Sequence, residues 1–270
     1  MDLQKDTVIG IVGGMGPRAG AALLNSIISQ TPAGSDQEHL STILMSFPGS
    51  IGDRTSWLEG RLSTNPAYGI ARVIQKLENA GANLVGIACN TSHAPRIYDI
   101  ILNELERMNS QVKLLDMPYE TCMYINKNYS QIRRIGVMTT NGAYRAGIYK
   151  GLLQDLGYDV IIPDHGFQND VIHKMVYDSV FGIKANADNI TSEVSLLMEK
   201  AIRFFKERQA DAIILGCTEL SLVPPGNGLN DMLIFDSTDI FARALIREAT
   251  RTDHYNNRSK SDADKNISFL

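Results

Sequence analysis

The sequence predicts an α/β protein of two similar halves, each a parallel sheet flanked by helices, facing one another across a central cleft. Three observations lead there. Short apolar runs alternate with amphipathic helical stretches along most of the chain, the pattern of βαβ units and a parallel sheet. The pattern then restarts, so that Ile9-Gly10-Ile11-Val12-Gly13-Gly14-Met15-Gly16 can be set against Ile135-Gly136-Val137-Met138-Thr139-Thr140-Asn141-Gly142. Each half also contains an apolar run ending in a cysteine and small polar residues. These corners are Ile87-Ala88-Cys89-Asn90-Thr91-Ser92-His93 and Leu215-Gly216-Cys217-Thr218-Glu219. The interval from Ile9 to Cys89 nearly equals that from Ile135 to Cys217, a repeat too long for a solenoid.

Taken in order, Val8 to Val12 reads as a buried strand, and Pro17 suits the first turn of the helix after it, where a missing N–H costs nothing. Leu23, Leu24, Ile27 and Ile28 give that helix one apolar stripe. Leu40 to Phe47 reads as a strand, and Pro48 to Thr55 as a loop. Asn65 and Pro66 open a helix carrying Ile70, Val73, Ile74 and Leu77 on one face, and Gly81 closes it. Strand 84–88 delivers Cys89; helix 94–108 and strand 112–115 complete the first half. The second half runs strand 134–138, a helical stretch from Asn141 ending near Gly157, strand 158–162, helix 189–207, strand 212–215, strand 232–235 and helix 240–249. Ile190, Val194, Leu197, Ala201 and Phe204 form a single face. Asp116 and Asp236 each follow the last strand of a half. The expected division is a first domain of residues 1–116 plus 236–250, a second of 117–235, and a frayed polar tail over 251–270.

At 270 residues the chain can bury two ordinary cores. An apolar fraction of 44% and a charged fraction of 21% describe an ordinary globular protein. A net charge of −4 advertises neither nucleic acid nor an anionic membrane as partner. The expected location is cytoplasmic, since the charged first residues lack a signal-peptide core and no apolar run approaches spanning length. Three scattered cysteines, without CxxC or a Cys/His cluster, fit neither a disulfide framework nor structural zinc. Gly13-Gly14-Met15-Gly16 invites a nucleotide reading. GxGxxG is not completed, however, because Ala19 stands where its third glycine would be.

Ligands of open α/β sheets bind beyond the carboxyl ends of the strands, where both cysteines are expected, one from each wall. A lone cysteine at a strand end is more often a packed hydrophobe; the symmetric placement of two favours chemistry. Inverting a carbon next to a carboxylate takes a base on one face and an acid on the other. A thiolate and a thiol supply both and exchange roles in the reverse direction. Asn90, Thr91 and Thr218 could hold a substrate carboxylate and stabilise developing charge. His93 and Glu219 could tune a thiol or relay its proton; a helix-capping histidine and a surface glutamate are the equal alternative. Arg54 and Lys184 lie in loops where side chains either reach ligands or are solvated. Cys122, without a counterpart, reads as packing.

The chain resembles the aspartate/glutamate racemase family, and its aspartate racemase branch in particular. The resemblance runs over residues 7–249. It rests on Gly13-Gly14-Met15-Gly16-Pro17, Asp53-Arg54-Thr55, Cys89-Asn90-Thr91 with His93, Gly182-Ile183-Lys184 and Gly216-Cys217-Thr218-Glu219. It implies two pseudo-symmetric flavodoxin-like domains of Asp/Glu racemase type, an expected homodimer, and racemisation without pyridoxal, other cofactor or metal. By resemblance Cys89 and Cys217 transfer the protons, Cys217 from the L form and Cys89 from the D form. Arg54 and Lys184 clamp the side-chain carboxylate. Asn90, Thr91 and Thr218 meet the α-carboxylate and amino group, and Met15 joins the substrate contacts. Glutamate racemases carry histidine where Glu219 stands, so aspartate is the expected substrate and glutamate the next. Hydantoin racemase, maleate isomerase and a non-catalytic small-molecule binder are the alternatives. In the second repeat, Asn141-Gly142 departs from the Gly-Thr usual in the family.

Overall fold

The computed structural model describes residues 7–186, 189–224 and 232–265, with side chains of the last helix through residue 251. Two four-stranded, all-parallel sheets carry the fold. The first consists of β1 (Ile9–Gly13), β2 (Thr42–Ser46), β3 (Leu84–Ile87) and β4 (Lys113–Leu115), in the order β2-β1-β3-β4. The second consists of β5 (Arg134–Met138), β6 (Asp159–Ile161), β7 (Ala212–Leu215) and β8 (Leu233–Asp236), in the order β6-β5-β7-β8. The register repeats as well: Ile9 pairs with Leu84 and Val12 with Ile87, while Ile135 pairs with Ala212 and Met138 with Leu215. In each sheet the chain leaves the first strand in one direction and returns to its other side. The switch point therefore lies between β1 and β3, and again between β5 and β7. That is where a doubly wound sheet opens a crevice at its carboxyl edge.

Helices cover both faces of each sheet, so the inner strands are apolar throughout. On one face of the first sheet lie α3 (Ala67–Asn79) and α4 (Pro95–Arg107), with Ile70, Ile74, Leu77, Ile97 and Ile101 packed on Val12, Val85 and Ile87. On its other face lies α1 (Pro17–Gln30), through Leu23 and Ile27, together with Phe241 and Leu245 of α11 (Ser237–Lys265). The second sheet takes α10 (Ser192–Glu207) on one face, through Val194, Met198, Ala201 and Phe205. Its other face takes α5 (Met117–Asn128) and α7 (Ile148–Asp155), through Cys122, Ile125 and Leu153. Thus the helix after β4 packs on the second sheet and the helix after β8 returns to the first. Cys122 is fully buried in that apolar layer, as its packing role requires.

Three local differences from the sequence reading stand out. The loop expected through Thr55 gives way to a short helix, α2 (Arg54–Leu58), because the Asp53 carboxylate accepts the Ser56 N–H and caps it. The helical stretch after Asn141 is broken into α6 (Asn141–Ala146) and α7 by Gly147, at φ 65°. The last helix runs on to Lys265, through most of the stretch expected to be a frayed tail. Nothing between Ser237 and Lys265 is glycine or proline, so no residue there stops a helix; residues 266–270 of that expected tail lie outside the described residues. No helix among the described residues is long and apolar enough to cross a membrane.

Candidate active site

The carboxyl ends of β3 and β7 deliver Cys89 and Cys217 to one cleft, lined also by Met15, Arg54, Asn90, Thr91, Thr140, Tyr177, Lys184, Thr218 and Glu219. Its cavity is about 10 Å³, roughly room for one water molecule, so the residues around it stand close together. Cys89 and Cys217 keep 6% and 5% exposure, against none for Cys122, so both sulfur-bearing side chains reach the cleft and the third does not.

The first corner is tied down by its neighbours. After Cys89 the chain makes a 3₁₀ turn, Asn90–His93. The Asn90 amide spans to the other half: its Oδ1 accepts from Tyr149 Oη at 2.6 Å, and its Nδ2 donates to Ser237 Oγ at 3.1 Å. Ser237 in turn donates to the Leu215 carbonyl at 2.7 Å. One amide N–H and one lone pair of Asn90 remain for a ligand. Thr91 and Thr140 share a hydroxyl–hydroxyl bond of 3.0 Å across the cleft. Gly142 lets these walls meet, because a Cβ there would lie 2.8 Å from Thr55 Oγ1 and 2.9 Å from Thr91 Cγ2.

His93 is fastened at both ring nitrogens. Nε2 accepts the Met117 N–H at 3.3 Å, which leaves Nδ1 to donate to the Cys89 carbonyl at 3.1 Å. Burial lowers its affinity for a second proton, against the pull of Asp116. The ring is absent from the cleft lining, and its two hydrogen bonds brace the Cys89 carbonyl against the Met117 N–H.

Two cations meet in the cleft from different halves. Arg54 opens α2; its Nη2 donates to the Met15 carbonyl and its Nη1 to the Gly52 carbonyl at 3.1 Å. Its buried Nε has no hydrogen-bond partner among the described residues. Burial opposes the Arg54 charge, yet Cys89, Tyr177 and Asp53 around it hold the guanidinium above its ordinary range. Lys184 sits on a loop folded back onto the helix before it. This helix starts as α8 (His165–Phe167), passes through a π-helical stretch, Gln168–His173, and ends as α9 (Lys174–Tyr177). Ile183 and Lys184 N–H groups bond the Met175 and Val176 carbonyls. Gly182 makes that fold-back possible, since a Cβ would come within 2.5 Å of the Asp178 carbonyl oxygen.

Tyr177 joins the two cation sites. Its hydroxyl donates to Asp53 Oδ2 at 2.9 Å and its ring lies 4.9 Å from Lys184 Nζ. Neither Tyr177 nor Thr140 was singled out from sequence. Thr140 carried a usable signal, because the repeat aligns it with Gly14, beside Met15 in the opening loop. Tyr177 carried none, lying between strand 158–162 and helix 189–207, where the sequence predicts no element.

Glu219 is buried rather than on the surface. It accepts from Cys217 Sγ at 3.2 Å and Thr218 Oγ1 at 3.2 Å, pairs with Lys184 Nζ at 3.2 Å, and accepts the Gly16 N–H at 3.3 Å. Burial raises the carboxyl, but Lys184 and the Cys217 hydrogen bond bring it below its usual value. Burial first, then the Glu219 charge, pushes the Cys217 thiol well above its ordinary range. Among the described residues no group of His, Cys, Asp and Glu is placed to hold a metal ion.

Residues 12–245 match the sequence model of the Asp/Glu/Hydantoin racemase family. Among solved structures, the chain resembles an aspartate racemase from Picrophilus torridus at 27% identity and a TM-score of 0.74, over 90% of this chain and 94% of that one. It also resembles an aspartate racemase homologue from Pyrococcus horikoshii OT3, at 21% identity and a TM-score of 0.64, over 91% and 99% of the two chains. A glutamate racemase from Francisella tularensis, solved with D-glutamate, shares 16% identity at a TM-score of 0.63, over 93% and 83%. At these last two identities the likeness is one of fold.

Proposed function

The chain belongs to the Asp/Glu/Hydantoin racemase family, and from that premise we propose that it racemises an acidic amino acid, aspartate before glutamate, with two cysteines and no cofactor. The observation that carries this reading is the meeting of Cys89 and Cys217, one from each half, in a single small cleft with two cations. The substrate side-chain carboxylate goes to Arg54, whose Nε lacks a partner, and to Lys184. The α-carboxylate and ammonium go to the corner residues Asn90, Thr91 and Thr218, beside Met15. Two cations stand in the lining against the single carboxylate of Glu219, which suits an amino acid bearing two carboxylates.

One sulfur, as thiolate, takes the α-proton: its S–H bond forms, the C–H bond breaks, and the electron pair spreads into the α-carboxylate. The other thiol gives its proton to the opposite face and keeps its electrons as thiolate. Hydrogen-bond donors fixed at the strand ends, in a site with little room for water, stabilise the carbanion without reorganising. Such proton transfers contribute roughly 10²–10⁴-fold each.

The decisive experiment incubates the protein with L-aspartate, L-glutamate and an L-hydantoin in heavy water, following the α-proton by NMR and handedness by chiral chromatography. Aspartate should lose its α-proton and racemise, glutamate more slowly. An inert aspartate and glutamate, or exchange confined to the hydantoin, would overturn the reading.

A further inference from the structure

We propose that Glu219 is a positioning residue that makes the two thiols unequal, keeping the proton on Cys217 and leaving the base role in the ligand-free site to Cys89. The proposal deepens the racemase reading and rests on it for its consequence in turnover. It begins with geometry. A carboxylate oxygen 3.2 Å from a sulfur is a hydrogen-bond acceptor only while that sulfur holds its proton. The carboxylate cannot swing away cheaply, because three further contacts hold it: Lys184, Thr218 and the Gly16 N–H, the last from the other half of the molecule. The charged and titratable groups facing Cys217 are Glu219 and Lys184, with Arg54, Tyr177 and Cys89 lining the remainder of the cleft. The charge facing Cys89 is instead the Arg54 guanidinium.

The proton count follows. With its proton held toward Glu219, Cys217 starts the cycle as the acid, which leaves the base role to Cys89. Cys89 takes the α-proton from one face; Cys217 delivers its own to the other and is left an anion beside Glu219. Lys184, already shared with that carboxylate, is the cation that makes this state tolerable; proton exchange with water then resets the pair, Cys89 giving up the proton it took as Cys217 regains one. The enantiomer that Cys217 must deprotonate therefore meets the less populated form. Mirror-image substrates have equal free energies, so kcat/KM must agree in the two directions, and the inequality shows in kcat and KM separately.

The test reads the thiols directly, without requiring turnover. Iodoacetamide labelling of the full chain is followed against pH by peptide mass spectrometry, in the wild type, Glu219→Gln and Glu219→Asp. In the wild type the Cys217 midpoint should lie above that of N-acetylcysteine; a midpoint at or below it overturns the proposal whether or not any variant folds. Glu219→Gln should lower the Cys217 midpoint by at least one pH unit, about tenfold in thiolate population at a given pH, while moving Cys89 less. Glu219→Asp, which keeps the charge but draws it back, should fall between. Equal shifts at both cysteines, or none, would mean that Glu219 only supports the fold. Glu219→Gln should also lower KM for aspartate, by freeing Lys184, while kcat falls. A wild type that racemises nothing yet keeps this labelling order would sink the racemase reading and leave the role of Glu219 standing.

Discussion

The Cys89 corner and the Cys217 corner have the same backbone design and opposite electrical settings. Each follows a central, fully buried strand at a switch point of its sheet. Beyond that they diverge. Cys89 has a cation beside it and a neutral histidine bracing its carbonyl. Cys217 has a buried carboxylate, itself paired with a lysine. The repeat therefore fixes where the cysteines go, and the side chains gathered around each corner set its charge, an arginine beside Cys89 and a carboxylate beside Cys217.

The largest expected effect comes from removing either sulfur. Cys89→Ala and Cys217→Ala should each reduce racemisation by at least about 10³-fold, toward the upper range for a lost general acid or base, with the melting temperature nearly unchanged. What separates the two corners is exchange without inversion. Each single variant retains one base, which can pull the α-proton from one enantiomer and return a deuteron to the same face. Cys217→Ala should exchange D-aspartate only, and Cys89→Ala L-aspartate only. Both variants exchanging the same enantiomer would break the assignment of one sulfur to each face.

A smaller effect is expected at the two cations, which differ as their corners do. Arg54→Lys keeps the charge but loses the planar fork that reaches the Met15 and Gly52 carbonyls, so KM should rise by about tenfold or more with the fold intact. Lys184→Met also strands Glu219. In the wild type the Glu219 carboxyl sits below its ordinary value, so its ion pair adds stability above that range and loses it as pH falls through it. With Lys184 gone, burial is left to raise the carboxyl. The variant should therefore be less stable by about 3 kcal/mol at neutral pH, the gap closing in acid as the carboxyl protonates. Thermal melts across pH check the sign; a gap that widens in acid would show that Lys184 does not hold Glu219 ionised.

Much of this was open to reading from the chain, for identifiable reasons. Parallel strands buried on both faces are continuous apolar runs, so β1, β3, β5 and β7 stood out, and so did the cysteines at the ends of β3 and β7. Arg54, Lys184 and Glu219 could be picked out singly but not joined, because the Lys184–Glu219 pair links a loop to a corner across sequence-distant elements. Glu219 could be read equally as a surface residue, because its burial involves the glycine loop of the other half. His93 offered two readings from sequence, and its bond to the Met117 N–H joins elements that no local pattern connects.

The smallest expected effect tests whether the Cys89 corner depends on the second half of the chain. Tyr149 is 2% exposed, and burial keeps its hydroxyl protonated, so it serves as a donor to Asn90. Tyr149→Phe removes that donor without opening a cavity and leaves the Asn90 carbonyl buried with one partner fewer. The cost should be about 1–2 kcal/mol in denaturant unfolding. The rate should fall by only a few fold, because the Ser237 contact still holds the amide from its other end. Ser237→Ala removes that second anchor. If Asn90 is held as one unit, the pair of changes together should cost more in rate than the product of the two alone, a coupling of about 0.5–1.5 kcal/mol. Strictly multiplicative losses would mean that the first corner stands without help from the second half.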